Sequence, residues 1–313
     1  MRIGILGYGN LGKALAREIK NTSHELVGVF SRRMVYDNGV TMLQREKIPG
    51  YYGKIDTMMV ATKSITDVES DVTGLLSNFN TIDSFDLHKK ISEYKEKTDL
   101  LAKENNHVSI ISAGWDPGIL SIVRSIAKVA IDANNINTFW GVGKSLGHTT
   151  ALMGIDGVKH AVEYTIPISE AKALAKNQDA KLTDCQRHRR ECFIVPKPFA
   201  NKKHIEEKIK NMDGYFKGYD TIVHFISESD FLLNHQRDFH RGEVVSTAIK
   251  NGDKTALDMK IKTPSNCTFT AKIMISYLNA INYLQNNQIF GSFTPLDIPM
   301  SLLIDEKTYC EII

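Results

Sequence analysis

The chain has 313 residues, 42% of them hydrophobic, and its 39 Lys and Arg nearly balance 36 Asp and Glu. This length suits about two domains with substantial cores, and the near-neutral balance argues against a nucleic acid or an anionic membrane as partner. No apolar run reaches the roughly 20 residues that span a bilayer. The 4 cysteines show no C-x-x-C spacing, so we expect no metal site and no disulfide framework.

The N-terminal segment has the pattern of a strand, a glycine turn and a helix. Apolar residues from Ile3 to Leu6 lead directly into Gly7, Tyr8, Gly9, Asn10, Leu11 and Gly12. In a G-x-G-x-x-G turn the glycines allow a tight turn, close approach of the backbone to a pyrophosphate, and close packing of helix on strand. Helix N–H groups then face the phosphates. The segment predicts a dinucleotide site at residues 7–12; the alternative is a tight turn without a ligand.

The end of the next strand selects between the two dinucleotides. His24 to Phe30 reads as a strand and is followed by Ser31, Arg32 and Arg33. An NAD site places an Asp or Glu here to bind the ribose 2′-hydroxyl, and this chain has none. A hydroxyl and two guanidiniums instead offer donors to a 2′-phosphate. We therefore predict NADP as the cofactor, with solvated loop charges as the alternative.

The first part of the chain alternates strands with helices. Predicted helices such as Leu11–Lys20 and Ile91–Glu104 separate strands at Arg2–Leu6, Leu26–Phe30, Thr57–Val60 and Val108–Ile111. This alternation predicts an α/β, Rossmann-type doubly wound parallel sheet, whose ligands bind at the carboxyl ends of the strands. The N-terminal apolar stretch is short and broken by the glycine turn, so we expect it to belong to this sheet and the protein to be cytoplasmic.

From about Asn137 the pattern changes to Thr- and Val-rich runs of period two. These runs are Thr138–Trp140, Ala161–Pro167, Glu191–Pro196, Thr221–Ile226 and Leu257–Lys262. They predict a second, α+β domain built on a mixed sheet, and an amphipathic helix at about Thr268–Gln285 returns the chain to the first domain. We predict a dinucleotide-binding domain at 1–117 plus about 265–313, and a substrate-binding and dimerisation domain at about 118–264.

The candidate acidic residues lie in predicted loops of the first domain, and the candidate basic residues lie in predicted loops of the second. Asp116 and the segment Asp83–Asp86 follow predicted strands of the first domain, where carboxylates suit an ammonium group. In the second domain Arg187–Arg190 precedes a strand and Phe239–Gly242 lies in another loop, where Arg can bind a carboxylate with two hydrogen bonds. The alternatives are a packed Asx-Pro turn for the first group and a solvated basic surface for the second.

With these segments assembled, the chain resembles the meso-diaminopimelate dehydrogenase family over essentially its full length. The matching stretches are Gly7–Gly12, Phe30–Arg33, Asp83–Asp86, Gly114–Gly118, Thr138–Gly141, Tyr164–Pro167 and Arg190–Phe193. The resemblance implies NADP-dependent oxidative deamination at the D-centre of meso-2,6-diaminopimelate, giving L-2-amino-6-oxopimelate and ammonia. It also implies a homodimer, a small-molecule substrate, and reverse amination for lysine and peptidoglycan precursors.

The resemblance also implies roles for individual residues. Asp116 and Asp86 resemble the acids beside the reacting centre, which makes them the predicted catalytic residues. The predicted substrate-binding residues are Trp115, Trp140, Leu146, Gly147, Thr165, Arg190, His240 and Asn266. Ser64, Thr66 and Asp67 complete the predicted cofactor site of residues 7–12 and 31–33, because their loop follows the predicted strand Thr57–Val60 and ligands of such sheets bind at the carboxyl ends of the strands.

One segment departs from the family pattern. Where the family has Ser-Gln-Gly-His-Ser-Asp, this chain has Ser145-Leu146-Gly147-His148-Thr149-Thr150. An amide and a carboxylate near the D-centre are thus replaced by an apolar group and a hydroxyl. An NADP-dependent D-amino-acid dehydrogenase of altered or broader substrate range is therefore the alternative function. A third hypothesis is a nonenzymatic NADP(H)-binding sensor. The presence of Asp86, Asp116, Thr165, Arg190 and His240 argues against it.

Overall fold

The computed structural model of the chain describes residues 1–177 and 180–313, apart from the side chain of Leu146. The chain divides into two compact units, one comprising Met1–Ile122 and Cys267–Ile313 and the other comprising Val123–Asn266. Among the described residues, no helix combines the length and the apolar character that crossing a membrane requires.

Strands and helices are numbered here in chain order. The strands are β1 (Arg2–Leu6), β2 (Glu25–Ser31), β3 (Met42–Gln44), β4 (Thr57–Val60), β5 (Asn80–Asp83), β6 (Val108–Ile110), β7 (Asn135–Trp140), β8 (Gly143–Lys144), β9 (Val158–Pro167), β10 (His188–Pro196), β11 (Asp220–Phe225), β12 (His240–Lys250), β13 (Asp253–Thr263) and β14 (Gly291–Phe293). The α-helices are α1 (Asn10–Ile19), α2 (Val68–Leu75), α3 (Ile91–Glu104), α4 (Ile119–Ile131), α5 (Leu146–Met153), α6 (Ser169–Asn177), α7 (Asp184–Arg187), α8 (Lys202–Lys210), α9 (Glu228–Asn234), α10 (Asn266–Asn286) and α11 (Glu306–Ile312).

The first unit is built on a seven-stranded sheet in the order β14-β6-β5-β4-β1-β2-β3. All neighbouring strands are parallel. Apolar residues of β1 and β4 are buried, and α1 packs with Leu15 and Ile19 inward. The strand order reverses at β1, which has β4 on one side and β2 on the other. Ligands of doubly wound sheets bind beyond the carboxyl ends of the strands at this reversal, so the sheet places the glycine turn there.

The second unit contains two sheets. A four-stranded sheet in the order β11-β10-β9-β8 is mixed, because β10 runs parallel to β11 and antiparallel to β9. A three-stranded antiparallel sheet has the order β13-β12-β7. The predicted fold class is confirmed. The sequence predicted one mixed sheet in the second domain, and the structure has a separate three-stranded antiparallel sheet beside the mixed one.

Two basic segments predicted as loops lie in strands. Arg190 is inside β10, where it pairs with Thr165 of β9, and His240 is the first residue of β12, where it pairs with Thr263. The loop assignments of 187–190 and 239–242 are therefore wrong in part. Polar residues at these positions are held by ladder hydrogen bonds to strands far away in the sequence, and local composition carries no signal of such a partner.

Candidate active site

The glycine turn has the space that a pyrophosphate needs. Gly7 has φ +102°, and a Cβ at Gly12 would lie only 2.1 Å from the carbonyl oxygen of Gly7, so both positions require glycine. A Cβ at Gly9, by contrast, would meet nothing within 4 Å. Gly9 precedes α1, whose first turn carries no acidic residue. This open helix N-terminus fits a dinucleotide pyrophosphate.

The loop after β2 and the loop after β4 contact each other through the side chains of Arg32 and Asp67. Both strands are neighbours of β1, which leads into the glycine turn. Arg32 forms an ion pair with Asp67, and its side chain is still 64% exposed. The backbone N–H of Arg33 donates to Ser31 Oγ at 3.3 Å. Burial alone would raise the pKa of Asp67, but hydrogen bonds from Thr66 and Arg32 outweigh it and lower the pKa. An exposed guanidinium beside a hydroxyl at the end of β2 fits a 2′-phosphate.

Asp83, at the end of β5, connects two loops that carry predicted site residues. One carboxylate oxygen accepts from the N–H of Phe85 at 2.8 Å and from the N–H of Ser112 at 3.0 Å. The other accepts from the Tyr94 hydroxyl at 2.7 Å. Burial raises the pKa of Asp83 to about 6, although these hydrogen bonds oppose the shift. The loop of Asp86 and the loop leading to Asp116 are thus held by one buried side chain.

Asp86 lies in the first of these loops and keeps solvent contact. The protein packed around its carboxylate raises its pKa, and this effect is opposed by a hydrogen bond with Ser64 and by the nearby His88. The contact between Ser64 and Asp86 joins the predicted cofactor loop after β4 to the predicted catalytic loop after β5.

Asp116 follows the buried Trp115 in a narrow loop between two glycines. Gly118 has φ +134°, and a Cβ there would lie 1.9 Å from the carbonyl oxygen of Gly114. The Trp115 ring packs edge-on against Phe269, with ring centroids 4.5 Å apart. Asp116 itself is half-buried. The packed Trp115 ring and the close approach of Gly118 to Gly114 constrain the backbone of the loop that carries Asp116.

In the second unit Arg190 lies in a polar cluster on one face of the four-stranded sheet. It donates to Thr165 Oγ1, and its Nη1 is 3.4 Å from Oε1 of Glu163. Its guanidinium also lies 4.3 Å from the ring centroid of Tyr219. Glu163 has no solvent exposure, and burial raises its pKa to about 7 against the opposing effects of Arg190 and Thr165. Of the residues predicted to bind substrate, the structure thus joins Thr165 and Arg190 directly.

Trp140 is held by a buried histidine. Its backbone N–H donates to Nε2 of His188 at 2.9 Å, and the Nδ1 of His188 faces the carbonyl oxygen of Asp184 at 3.1 Å. An acceptor Nε2 means that Nδ1 carries the proton. Burial lowers the pKa of His188 to about 3, so the ring stays neutral, and it stacks on Trp140 at 4.9 Å. His188 therefore fixes the orientation of the predicted pocket wall.

The remaining predicted residues lie in the second unit. Burial lowers the pKa of His240 to about 4, against a backbone contact with Lys144, so its ring is neutral at pH 7. Asn266 begins α10, and its N–H donates to the carbonyl oxygen of Asp238 at 2.9 Å. Gly147 lies in the first turn of α5. The side chain of Leu146 lies outside the described part of the chain.

The sequence did not single out Glu163, it placed His188 only within a basic segment, and it counted Asp83 among the acids suited to an ammonium group, whereas Asp83 bonds to two backbone N–H groups and to Tyr94. Asp83 ends an otherwise uncharged strand, and Glu163 interrupts the apolar run from Ala161 to Tyr164. A charged residue at an inward strand position is the signal that could have identified both. His188 has no comparable signal, because its partners are a backbone N–H and a backbone carbonyl.

A glycine turn of this kind, at the reversal of a doubly wound sheet, is typical of dinucleotide-binding proteins. The relatives described next show that the chain is an oxidoreductase of that class. Residues 114–265 match a family model described as the diaminopimelic acid dehydrogenase C-terminal domain. The chain is 39% identical to the meso-diaminopimelate D-dehydrogenase of Ureibacillus thermosphaericus, over 97% of this chain and 95% of that protein. It belongs to the meso-diaminopimelate dehydrogenase family.

Two solved structures share the whole fold. An engineered D-amino acid dehydrogenase bound to NADP+ superimposes with a TM-score of 0.94 at 32% identity, covering 100% of this chain and 98% of that one. The Corynebacterium glutamicum diaminopimelate dehydrogenase in complex with diaminopimelate gives a TM-score of 0.93 at 32% identity, with the same coverage.

Proposed function

We propose that the chain catalyses the NADP-dependent oxidative deamination of meso-2,6-diaminopimelate at its D-centre, giving L-2-amino-6-oxopimelate and ammonia. The family membership over nearly the whole chain supports this activity and its cofactor. The observation that carries it is the presence of the open glycine turn, of Asp86 and Asp116 in the loops after the neighbouring strands β5 and β6, and of a buried Arg190–Thr165 pair. In the reverse direction the enzyme supplies precursors of lysine and peptidoglycan.

The chain's own residues hold the two ends of the substrate in different ways. Asp116 and Asp86 hold the reacting amine and orient the water that attacks the imine. Arg190 and Thr165, with His240 as a neutral donor, hold the carboxylate of the distal L-centre. The glycine turn, residues 31–33 and the loop of Ser64, Thr66 and Asp67 would hold NADP+, which would serve as the hydride acceptor. Binding at the remote end orients the reacting C–H bond.

A second candidate is a D-amino-acid dehydrogenase of broader substrate range. The observation that favours it is the replacement of the family's amide and carboxylate by Leu146 and Thr150. Fewer polar groups near the D-centre reduce the selection for a polar substrate there. The engineered D-amino acid dehydrogenase with the same fold supports the capacity of this scaffold for such substrates.

Two further features belong to the proposal. We infer a homodimer and a cytoplasmic location, and the support for both is the family resemblance and the biosynthetic role proposed above. Size-exclusion chromatography with light scattering tests the first, and a monomer at micromolar concentration would contradict it.

The activity is tested by following reduction of NADP+ with meso-diaminopimelate, the L,L isomer and a panel of D-amino acids as substrates. The same assays with NAD+ report the cofactor preference. We expect turnover of the meso isomer with NADP+ and much less with the L,L isomer or with NAD+. Turnover of simple D-amino acids alone would establish the second candidate, and no turnover of any substrate would contradict both.

A further inference from the structure

Glu163 is a buried carboxylate in direct contact with the proposed carboxylate-binding group. On β9, Glu163 and Thr165 are two residues apart and therefore point to the same face of the sheet. Across the antiparallel pair, Thr165 faces Arg190 and Glu163 faces Cys192. The side chains of Glu163 and Arg190 are 0% and 5% exposed. Sheet register alone thus brings an acid and a base together in a dry environment.

Thr165 links the two charges. Its hydroxyl accepts a hydrogen bond from Arg190 and donates to Oε1 of Glu163 at 3.1 Å. The same Oε1 is 3.4 Å from Nη1 of Arg190. In the enzyme without substrate, the positive charge of Arg190 is therefore already compensated by the chain itself.

We next consider the other ionisable groups on the elements that pack around Glu163 and Arg190. Cys192 on β10 and Tyr219, which packs on Arg190, stay neutral because burial raises the pKa of each. His148 on α5 stays neutral because burial lowers its pKa. β8 contributes Lys144 to these elements, and β7 has no ionisable residue. Glu163 is the group of this cluster whose charge changes near pH 7, since burial raises its pKa to about 7.

A substrate carboxylate that reaches Arg190 would be a second anion on the same guanidinium. Two carboxylates that share one site repel each other strongly when water is excluded, and one of them takes up a proton. Protonated Glu163 keeps an acceptor oxygen for Thr165 while leaving the charge of Arg190 to the substrate. A substrate with a single carboxylate, held at the D-centre, does not impose this cost.

We propose that Glu163 is a specificity-determining residue, an internal counter-charge of Arg190 that competes with the distal carboxylate of the substrate and takes up a proton from solvent when that carboxylate binds. This inference rests on the proposed function, which assigns the distal carboxylate to Arg190. It makes the preference for dicarboxylate over monocarboxylate substrates dependent on pH.

The test compares the parent enzyme with Glu163→Gln, which removes the charge and nearly conserves the shape. KM and kcat are measured for meso-diaminopimelate and for D-alanine with saturating NADP+, from about pH 6 to about pH 9. In the parent, KM for diaminopimelate should rise up to about tenfold per pH unit above about pH 7, relative to D-alanine. In Glu163→Gln this extra rise should disappear, so that at about pH 9 diaminopimelate binds at least about tenfold better than in the parent.

Glu191→Gln is the matched control, because Glu191 is on the same strand as Arg190 but on the opposite face, where it pairs with Arg189. This variant should follow the parent at every pH. A Glu163→Gln enzyme with the parent's substrate ratio at all pH values would overturn the proposal. A higher KM for diaminopimelate at all pH values would also overturn it, since Glu163 would then hold Arg190 in place.

Proton uptake by the unmodified enzyme gives a test that does not depend on folding of a variant. Diaminopimelate is titrated calorimetrically into the enzyme with NADPH, which prevents turnover, in two buffers of different ionisation enthalpy. Above about pH 7, binding of diaminopimelate should take up a proton and binding of D-alanine should not. Equal proton uptake with the two ligands would overturn the proposal. A parent that does not turn over diaminopimelate contradicts the proposed function as well, whereas an active parent without these effects contradicts only the role of Glu163.

Discussion

Asp83 in the first unit and Glu163 in the second are both carboxylates without solvent exposure, but different groups surround them. Asp83 accepts hydrogen bonds from two backbone N–H groups and one tyrosine hydroxyl, all of them neutral. Glu163 faces a guanidinium and the threonine hydroxyl that links them. Burial raises the pKa of both, to about 6 and about 7 respectively.

The difference shows two uses of a buried acid. The donors to Asp83 are mostly main-chain groups of two loops, so this carboxylate fixes backbone and has no freedom to exchange its partners. The partner of Glu163 is the long side chain that we propose binds the distal carboxylate, so in that proposal Glu163 adjusts how much of the charge of Arg190 is available to the substrate. We expect substitutions in the first region to affect chemistry and stability, and substitutions in the second to affect substrate choice.

The largest effect is expected from Asp116→Asn, in a loop that Asp83 helps to hold. Loss of a carboxylate at the reacting centre should lower kcat by about 10²–10⁴-fold while leaving the affinity for NADPH unchanged. Steady-state kinetics and fluorescence titration measure the two quantities. The exposed Asp213→Asn, which loses only an ion pair with Lys217, is the control. Turnover at the parent's rate in Asp116→Asn would remove this loop from the mechanism.

Asp83→Ala should unfold more readily than the parent. It leaves three buried donors without their acceptor, each costing about 1–3 kcal/mol, so a loss of at least about 3 kcal/mol in the free energy of unfolding is expected. Urea denaturation measures this loss. Asp83→Asn keeps an acceptor oxygen and should lose less. Equal stability of Asp83→Ala and the parent would show that the two loops do not depend on this residue.

The stability that Asp83 contributes should depend on pH. Its pKa rises from the usual 3.8 to about 6 on folding, so the folded state binds more protons between these values. The contribution is therefore greatest below about pH 4 and falls by about 3 kcal/mol as pH rises through about 6. The difference in unfolding free energy between the parent and Asp83→Asn isolates this change, and a difference constant from about pH 4 to about pH 7 would contradict it.

Arg190→Met tests the second region. Charge-assisted hydrogen bonds contribute about 1.5–3 kcal/mol, so KM for meso-diaminopimelate should rise roughly tenfold to more than a hundredfold. The kinetics with D-alanine and the affinity for NADPH should change little, because neither ligand has a distal carboxylate at this position. Unchanged kinetics with diaminopimelate would show that Arg190 does not bind the substrate.

The smallest effect is expected from the double substitution Leu146→Gln with Thr150→Asp, which restores the family pattern. It should shift the ratio of kcat/KM values toward meso-diaminopimelate over simple D-amino acids by about 1–3 kcal/mol, or roughly tenfold to a hundredfold. Competition assays with both substrates measure the ratio. If the ratio is unchanged and the parent has no activity on any simple D-amino acid, the segment does not control substrate range.

The sequence by itself determined the parallel sheet, the glycine turn and the choice of NADP. These features are local: an apolar run, three glycines at fixed spacing and a strand end without an acid are all readable within a few residues. The strands β1 and β4 begin and end at the predicted residues for the same reason. Each depends on steric and hydrogen-bonding requirements that the nearest neighbours already impose.

Only the tertiary structure decided the roles of the buried polar residues. Glu163 and Arg190 are 27 residues apart in the chain, and His188 is 48 residues from Trp140. Pairing of β9 with β10 brings Glu163 and Arg190 together, whereas His188 and Trp140 lie in strands of two different sheets. Burial removes water from these groups, and that desolvation raises the pKa of Glu163 and lowers the pKa of His188. The local sequence does not indicate which strands pair or which residues are buried. For this reason His188 and Arg190, which lie in β10, were predicted to belong to a basic loop.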